Sequence, residues 1–223
     1  MASFDVGPSY ARRLPIYLLL GVGDSMAGPP IQALQEGVGS LHQMLLSDAQ
    51  TAETVWLSVI TFADVAVQAA PLAEVMRFTP PVLTAGGRCS LGAGLRMLLR
   101  CIERDIVRPT PQQKGDYKPL GFRVVDNEPT DPWERELAAL DKARRAGLLG
   151  NLIAIGIGPQ VNPAVLRFLS ESVLVSDQLT WPSLRSLITW TSASVSTVSQ
   201  TARTTASGHI TLPQPPQGYN VLV

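Results

Sequence analysis

The chain has 223 residues, 45% of them hydrophobic, and its 18 basic and 18 acidic side chains cancel. That is enough apolar sequence for one sizeable core, while balanced and scattered charge excludes the basic stripe that a nucleic-acid partner requires. Two cysteines and a polar start without basic or apolar blocks predict a reducing, cytoplasmic setting, and apolar runs well short of roughly 20 residues leave no membrane span to expect.

In chain order, residues 1–13 form a polar extension carrying Gly7 and Pro8. The continuous apolar run from Leu14 to Leu20 stops at Gly21, the pattern of a strand buried on both faces. Pro29 and Pro30 suit the first turn of a helix, and Ile31, Leu34, Val38, Leu41 and Leu45 then recur at helical spacing. Thr54 to Phe62 is β-branched and aromatic, and Val65 to Val67, after a break at Ala63-Asp64, predicts a hairpin with it. A glycine-rich loop from Thr84 to Ser90 leads into a helical pattern at Leu91, Leu95, Leu98, Leu99 and Ile102, closed by Pro109 and Pro111.

Next come a strand at Phe122 to Val125, a loop from Asp126 to Asp131, a helix from about Pro132 to Ala146 and a strand at Leu152 to Ile157. This alternation predicts an α/β, Rossmann-like fold: a mostly parallel central sheet with one antiparallel edge strand and helices on both faces. In such sheets the binding crevice lies at the carboxyl ends of the strands. From Ser192 the composition turns to Ser, Thr, Ala and Val, and a Pro-rich end follows. Residues 14–195 therefore read as the domain and 196–223 as a C-terminal tail.

The block Pro15-Ile16-Tyr17-Leu18-Leu19-Leu20-Gly21-Val22-Gly23-Asp24-Ser25-Met26 resembles the opening of a von Willebrand factor A (VWA) domain, where the family writes Asp-x-Ser-x-Ser after its first strand. Trp56 to Phe62 looks like the second strand, Gly86 to Gly92 the loop that carries a Thr, and Val125 to Asp131 the loop that carries the last Asp. Within that superfamily the Trp56 block, Pro129-Thr130-Asp131 and Trp190 to Ser196 are most similar to the tellurium-resistance (TerY-like) proteins of stress operons. The resemblance implies a bacterial stress-response module working with a PP2C-type phosphatase and a Ser/Thr kinase of the same operon.

In that family a metal-ion-dependent adhesion site (MIDAS) holds a hard divalent cation with hydroxyls and carboxylates. The resemblance puts Gly21, Gly23, Ser25, Cys89 and Asp126 at its five positions, of which only Ser25 and Asp126 keep an oxygen. Mg²⁺ prefers hard oxygen ligands, so a missing carboxylate and a soft sulfur predict a degenerate site with weakened Mg²⁺ binding and no other cofactor. Asp24 is either a compensating ligand or a loop cap, and for Ser25 and Asp126 the alternative to ligation is the capping of backbone amides. Gly86 and Gly87 read as turn formers, since no phosphate-binding loop motif accompanies them.

Gly23-Asp24-Ser25-Met26 also looks like the first block of GDSL-type hydrolases, which would make Ser25 a nucleophile in need of a His base. The two histidines offer poor support, because His42 falls on the first predicted helix and His209 has Ala206 where an Asp belongs. A non-catalytic binding module is the expectation. Its partner-contact candidates are Asp24, Met26, Arg88, Asn127, Glu128 and Trp133, with core packing the competing role for Trp133. Ser194, Ser196, Thr197, Ser199, Thr201, Thr204 and Thr205 are phosphorylation candidates in or near the tail.

Overall fold

The computed structural model describes residues 12–170, 172–176, 181–204, 213–216 and 219–222. Its strands are β1 (Leu14–Gly21), β2 (Val55–Phe62), β3 (Ala66–Glu74), β4 (Leu120–Val125), β5 (Leu152–Ile157), β6 (Ser172–Ser176) and β7 (Asn220–Leu222). They form one sheet in the order β3-β2-β1-β4-β5-β6-β7. The four inner pairings are parallel, whereas β3 on β2 and β7 on β6 are antiparallel. The predicted fold class holds, with a second antiparallel edge strand in addition to the expected one.

The central strands are apolar on both sides because both faces are covered. One core gathers Ile16, Leu18 and Leu20 of β1 beneath α1 (Pro29–Ser47) and α6 (Trp181–Thr204). The other gathers Tyr17 and Leu19 of the same strand beneath α3 (Leu91–Asp105), α4 (Glu134–Arg145) and α5 (Pro163–Leu169). Alternation along β1 thus feeds two cores, which is why its sequence shows no polar face. The short α2 (Ala49–Thr54) starts at Asp48, whose carboxylate accepts from the Thr51 N–H at 2.7 Å.

The domain boundary differs from the sequence expectation. Residues 196–204 continue α6, and Asn220–Leu222 adds β7, so much of the presumed tail is part of the fold. The buried positions Leu187, Trp190, Thr191, Ser194, Val195 and Val198 recur at helical spacing, and packing of that stripe overrides the weak helix preference of Ser and Thr. Among the described residues no helix is long and apolar enough to cross a membrane.

Candidate functional site

Strand β1 has β2 on one side and β4 on the other, so the chain leaves the sheet in opposite directions at this point. The loops diverge there and open a crevice of about 790 Å³ at the carboxyl ends of the strands, where α/β sheets bind ligands. Its walls are Ser25 after β1, Asp126, Asn127 and Glu128 after β4, and residues 159–163 after β5.

Ser25 sits in a single 3-10 turn, Asp24–Met26. Its hydroxyl bonds to the Asp126 carboxylate and accepts from Asn127 Nδ2 at 3.1 Å. Burial raises the Asp126 pKa, and the Ser25 hydrogen bond pulls the other way. A carboxyl with a raised folded-state pKa contributes stability that is complete below its ordinary range and lost as pH rises through the raised value. Asp126→Asn keeps an acceptor for Ser25 and has no charge to bury. It is expected to melt above the native chain near neutral pH, with the gap closing as pH falls below about 4. Thermal scans across pH check this, and a gap that widened in acid would contradict it.

The remaining positions of the MIDAS alignment carry no hard donor. A Cβ on Gly21 would stand 3.2 Å from the Val124 carbonyl oxygen and 3.4 Å from the Phe62 ring, and one on Gly23 would stand 3.2 Å from the Gly87 carbonyl oxygen. Cys89 is buried, and burial together with nearby Asp126 pushes its thiol pKa up to about 12. It is therefore a neutral thiol at physiological pH. Among the described residues no group of three or more His, Cys, Asp or Glu side chains is placed to hold a metal ion.

The other candidates divide between loop bracing, core and surface. Asp24 is exposed, but its Oδ1 accepts from the Gly87 N–H at 2.8 Å while its own N–H donates to the Gly87 carbonyl at 2.8 Å. This two-way lock matches the loop-cap role. Arg88 is also exposed, and Asp64 takes its backbone N–H at 3.0 Å and its Nε at 3.3 Å. Met26, a contact candidate in the sequence, is 2% exposed and belongs to the core, because the 3-10 turn points it inward. Trp133 is half-buried against the α3 and α4 side of the sheet, as core packing requires. Glu128 and Asn127 remain on the crevice wall.

Thr197 lies within α6, where its hydroxyl bonds the Ala193 carbonyl at 2.8 Å, and Ser194 is wholly buried. The flexible chain expected at these positions is instead helix; Thr201 and Thr204 fall on its last turn, and Thr205 and His209 lie outside the described residues. His42 is buried in α1, with Nε2 2.8 Å from the Val75 carbonyl oxygen and its ring edge-on to Phe78.

The sequence reading missed three contributors. Asn162, whose side chain caps α5 through the Ala164 N–H at 3.0 Å, also donates to Glu128 at 2.8 Å. Its signal was the Asn-Pro pair that starts helices. Asp131 reaches across to the first turn of α3, accepting from the Gly92 and Ala93 N–H groups at 3.0 Å each. Arg123 is the lone charge in an otherwise apolar strand, and that oddity was itself the signal.

No protein-family model and no curated protein matches the chain. Solved structures do. A von Willebrand factor type A protein from Catenulispora acidiphila superposes with a TM-score of 0.60 at 14% identity, covering 84% of this chain and 43% of that one. Proximal thread matrix protein 1 from the mussel byssus, with a zinc-occupied MIDAS motif, gives 0.56 at 16%, covering 82% and 46%. The ArnB paralog VWA2 from Sulfolobus acidocaldarius gives 0.56 at 13%, covering 83% and 46%. The chain spans less than half the length of each. The fold is that of a von Willebrand factor A domain.

Proposed function

We propose that the chain is a non-catalytic protein-interaction module that recognises its partner through the loops of the switch-point crevice, with a MIDAS too degraded to bridge the contact by metal. The observation that carries this reading is the donor set: Ser25 and Asp126 are bonded to each other, while Gly21, Gly23 and the neutral Cys89 thiol offer no hard oxygen. Such a set does not fit Mg²⁺, which needs about six oxygens in near-octahedral array. Asp24 does not fill the gap while it holds the Gly87 amide. The zinc-occupied mussel domain is the contrast case within the same fold.

The biological setting we propose is bacterial tellurium resistance or a related stress response, with a PP2C-type phosphatase and a Ser/Thr kinase as partners. Its support is the sequence likeness in the Trp56, Pro129 to Asp131 and Trp190 to Ser196 blocks.

Calorimetric titration of Mg²⁺, Mn²⁺ and Ca²⁺ into the metal-stripped protein tests the first part. The native chain is expected to give no saturable heat, and the triple variant Gly21→Asp, Gly23→Ser, Cys89→Thr is expected to bind. The approaches at Gly21 and Gly23 are tight by only a few tenths of an ångström, so the variant can fold. Comparable binding by the native chain would return metal-bridged recognition to this crevice.

A further inference from the structure

Arginine occurs in two settings in this fold. Arg123 of β4 is 0% exposed and its guanidinium has no hydrogen-bond partner, but the void beside it, about 10 Å³, holds one water and no ligand. The arginines that a partner can reach lie on α3 and α4. These helices pack with their first turns level, Gly92 against Pro132 and Arg96 against Glu136.

Between them runs a groove of about 540 Å³ lined by Arg96, Leu99, Arg135, Glu136 and Ala139. Arg96 Nε and Nη2 both donate to Glu136 Oε1, at 3.0 and 2.8 Å. That contact fixes the guanidinium at the groove and leaves its Nη1 donors uncommitted among the described residues. Glu136 is the one acid in the lining, and it is already bonded. Arg135 is exposed and forms no ion pair among the described residues. The same holds for Arg100, one turn after Arg96 on the same face of α3. Exposed Glu103 on the next turn ends the basic stretch.

The groove adjoins the crevice. Asp131 closes the loop that begins at Asp126 and caps Gly92 and Ala93, and Arg96 follows Gly92 by four residues, about 6 Å along the helix. The charged groups lining the crevice are Asp126 and Glu128, both acidic. Two neighbouring surfaces of opposite sign therefore face a partner, and their order fixes the direction in which it lies.

We propose that the groove between α3 and α4 is a docking site for an acidic stretch of the partner protein, with carboxylates on Arg96, Arg100 and Arg135 and an apolar side chain on Leu99 and Ala139. This rests on the reading of the chain as a protein-interaction module and adds the charge of the segment it takes. Arginine suits the task because its planar fork binds carboxylates by parallel N–H···O bonds.

The test measures fluorescence anisotropy of a short labelled peptide with Glu on either side of a Leu, against the same peptide with Gln for Glu, on the full chain. We expect saturable binding of the Glu peptide alone, weakening as salt passes about 0.1 M. Arg135→Gln is expected to raise Kd about threefold to fivefold, and Ala139→Glu, which puts a like charge in the groove, about tenfold. Both positions are exposed, so the variants fold, and matching thermal midpoints check it. Arg108→Gln, at an exposed arginine beyond the end of α3, is expected to leave Kd unchanged. The proposal is overturned if the Glu peptide shows no saturable binding, or if Arg108→Gln weakens it as much as Arg135→Gln, which would mean diffuse attraction. It is also overturned if the chain ignores the peptide yet binds phosphatidylglycerol vesicles through Arg135, which would give the groove to a lipid headgroup. Failure here leaves the crevice reading standing, because that reading is tested by metal titration and this one by a peptide.

Discussion

Gly92→Ala is expected to destabilise the domain by about 3–5 kcal/mol, from overpacking and loss of charge-assisted hydrogen bonds together. A Cβ at this position would stand 2.4 Å from the Pro132 carbonyl oxygen and 2.9 Å from Asp131 Oδ2. Neither neighbour is the free end of a flexible chain: the first is backbone, and the second is held by the Gly92 and Ala93 N–H groups it caps. The methyl therefore pushes α3 off the loop that follows Asp126. Asp131→Ala removes the cap without the clash and is expected to cost about 2–3 kcal/mol. Because both substitutions break the same contact, the double variant should lose clearly less than the sum. Urea denaturation of the four proteins checks this, and a Gly92→Ala cost below about 1 kcal/mol would show that the loop gives way freely.

Phe62→Ala is expected to cost about 3–5 kcal/mol, the range for a fully buried aromatic truncated to alanine. The ring at the end of β2 is 0% exposed. It lies beneath both Gly21 and Gly94, where a Cβ would come within 3.4 Å and 2.9 Å of it. These glycines allow α3 and the end of β1 to rest directly on the ring, and neither has a side chain that can collapse into the space it leaves. A cost in the upper half of the range follows, since the penalty grows with the cavity that persists. Phe62→Leu should recover much of the loss in the same denaturation series. Equal destabilisation by both variants would mean that aromatic shape, and not volume, is what the site requires.

The fold was legible where burial is two-sided or strictly periodic. Leu14 to Leu20 and Leu152 to Ile157 stand out as apolar runs because helices cover both faces of β1 and β5. The α1 stripe of Leu34, Val38, Leu41 and Leu45 shows at a glance. By contrast, β6 is five residues long and begins and ends with Ser, and α5 is seven residues long. Elements that short carry too few positions for a period to emerge. The stripe on α6 was hidden by its chemistry: Thr191 and Ser194 occupy buried positions that a hydrophobicity pattern cannot recognise.

The candidate site was half legible. Ser25 and Asp126 come together as the loop order implied, although a separation of about a hundred residues leaves no local trace; Asn127, which donates to Ser25, lies 102 residues from it. Pro129-Thr130-Asp131 was noticed as a motif of resemblance. Its physical work is to brace the site, with Thr130 donating to the Cys89 carbonyl and Asp131 capping α3. Arg123 escaped because strand periodicity marks where a side chain points and not whether its charge is answered.

Strand β7 has one further consequence. It contributes three residues, registered as Val173 with Leu222, Leu174 with Val221 and Val175 with Asn220, and it comes from more than 40 residues beyond β6. So short a segment binds weakly, yet it occupies the one row of main-chain donors and acceptors that β6 turns away from β5. If it peels off, Ser172–Ser176 becomes an open template for any extended chain nearby. Residues Asn220–Leu222 thus cover the β6 edge, and removing them is expected to leave the main-chain groups of Ser172–Ser176 free to pair with another extended chain.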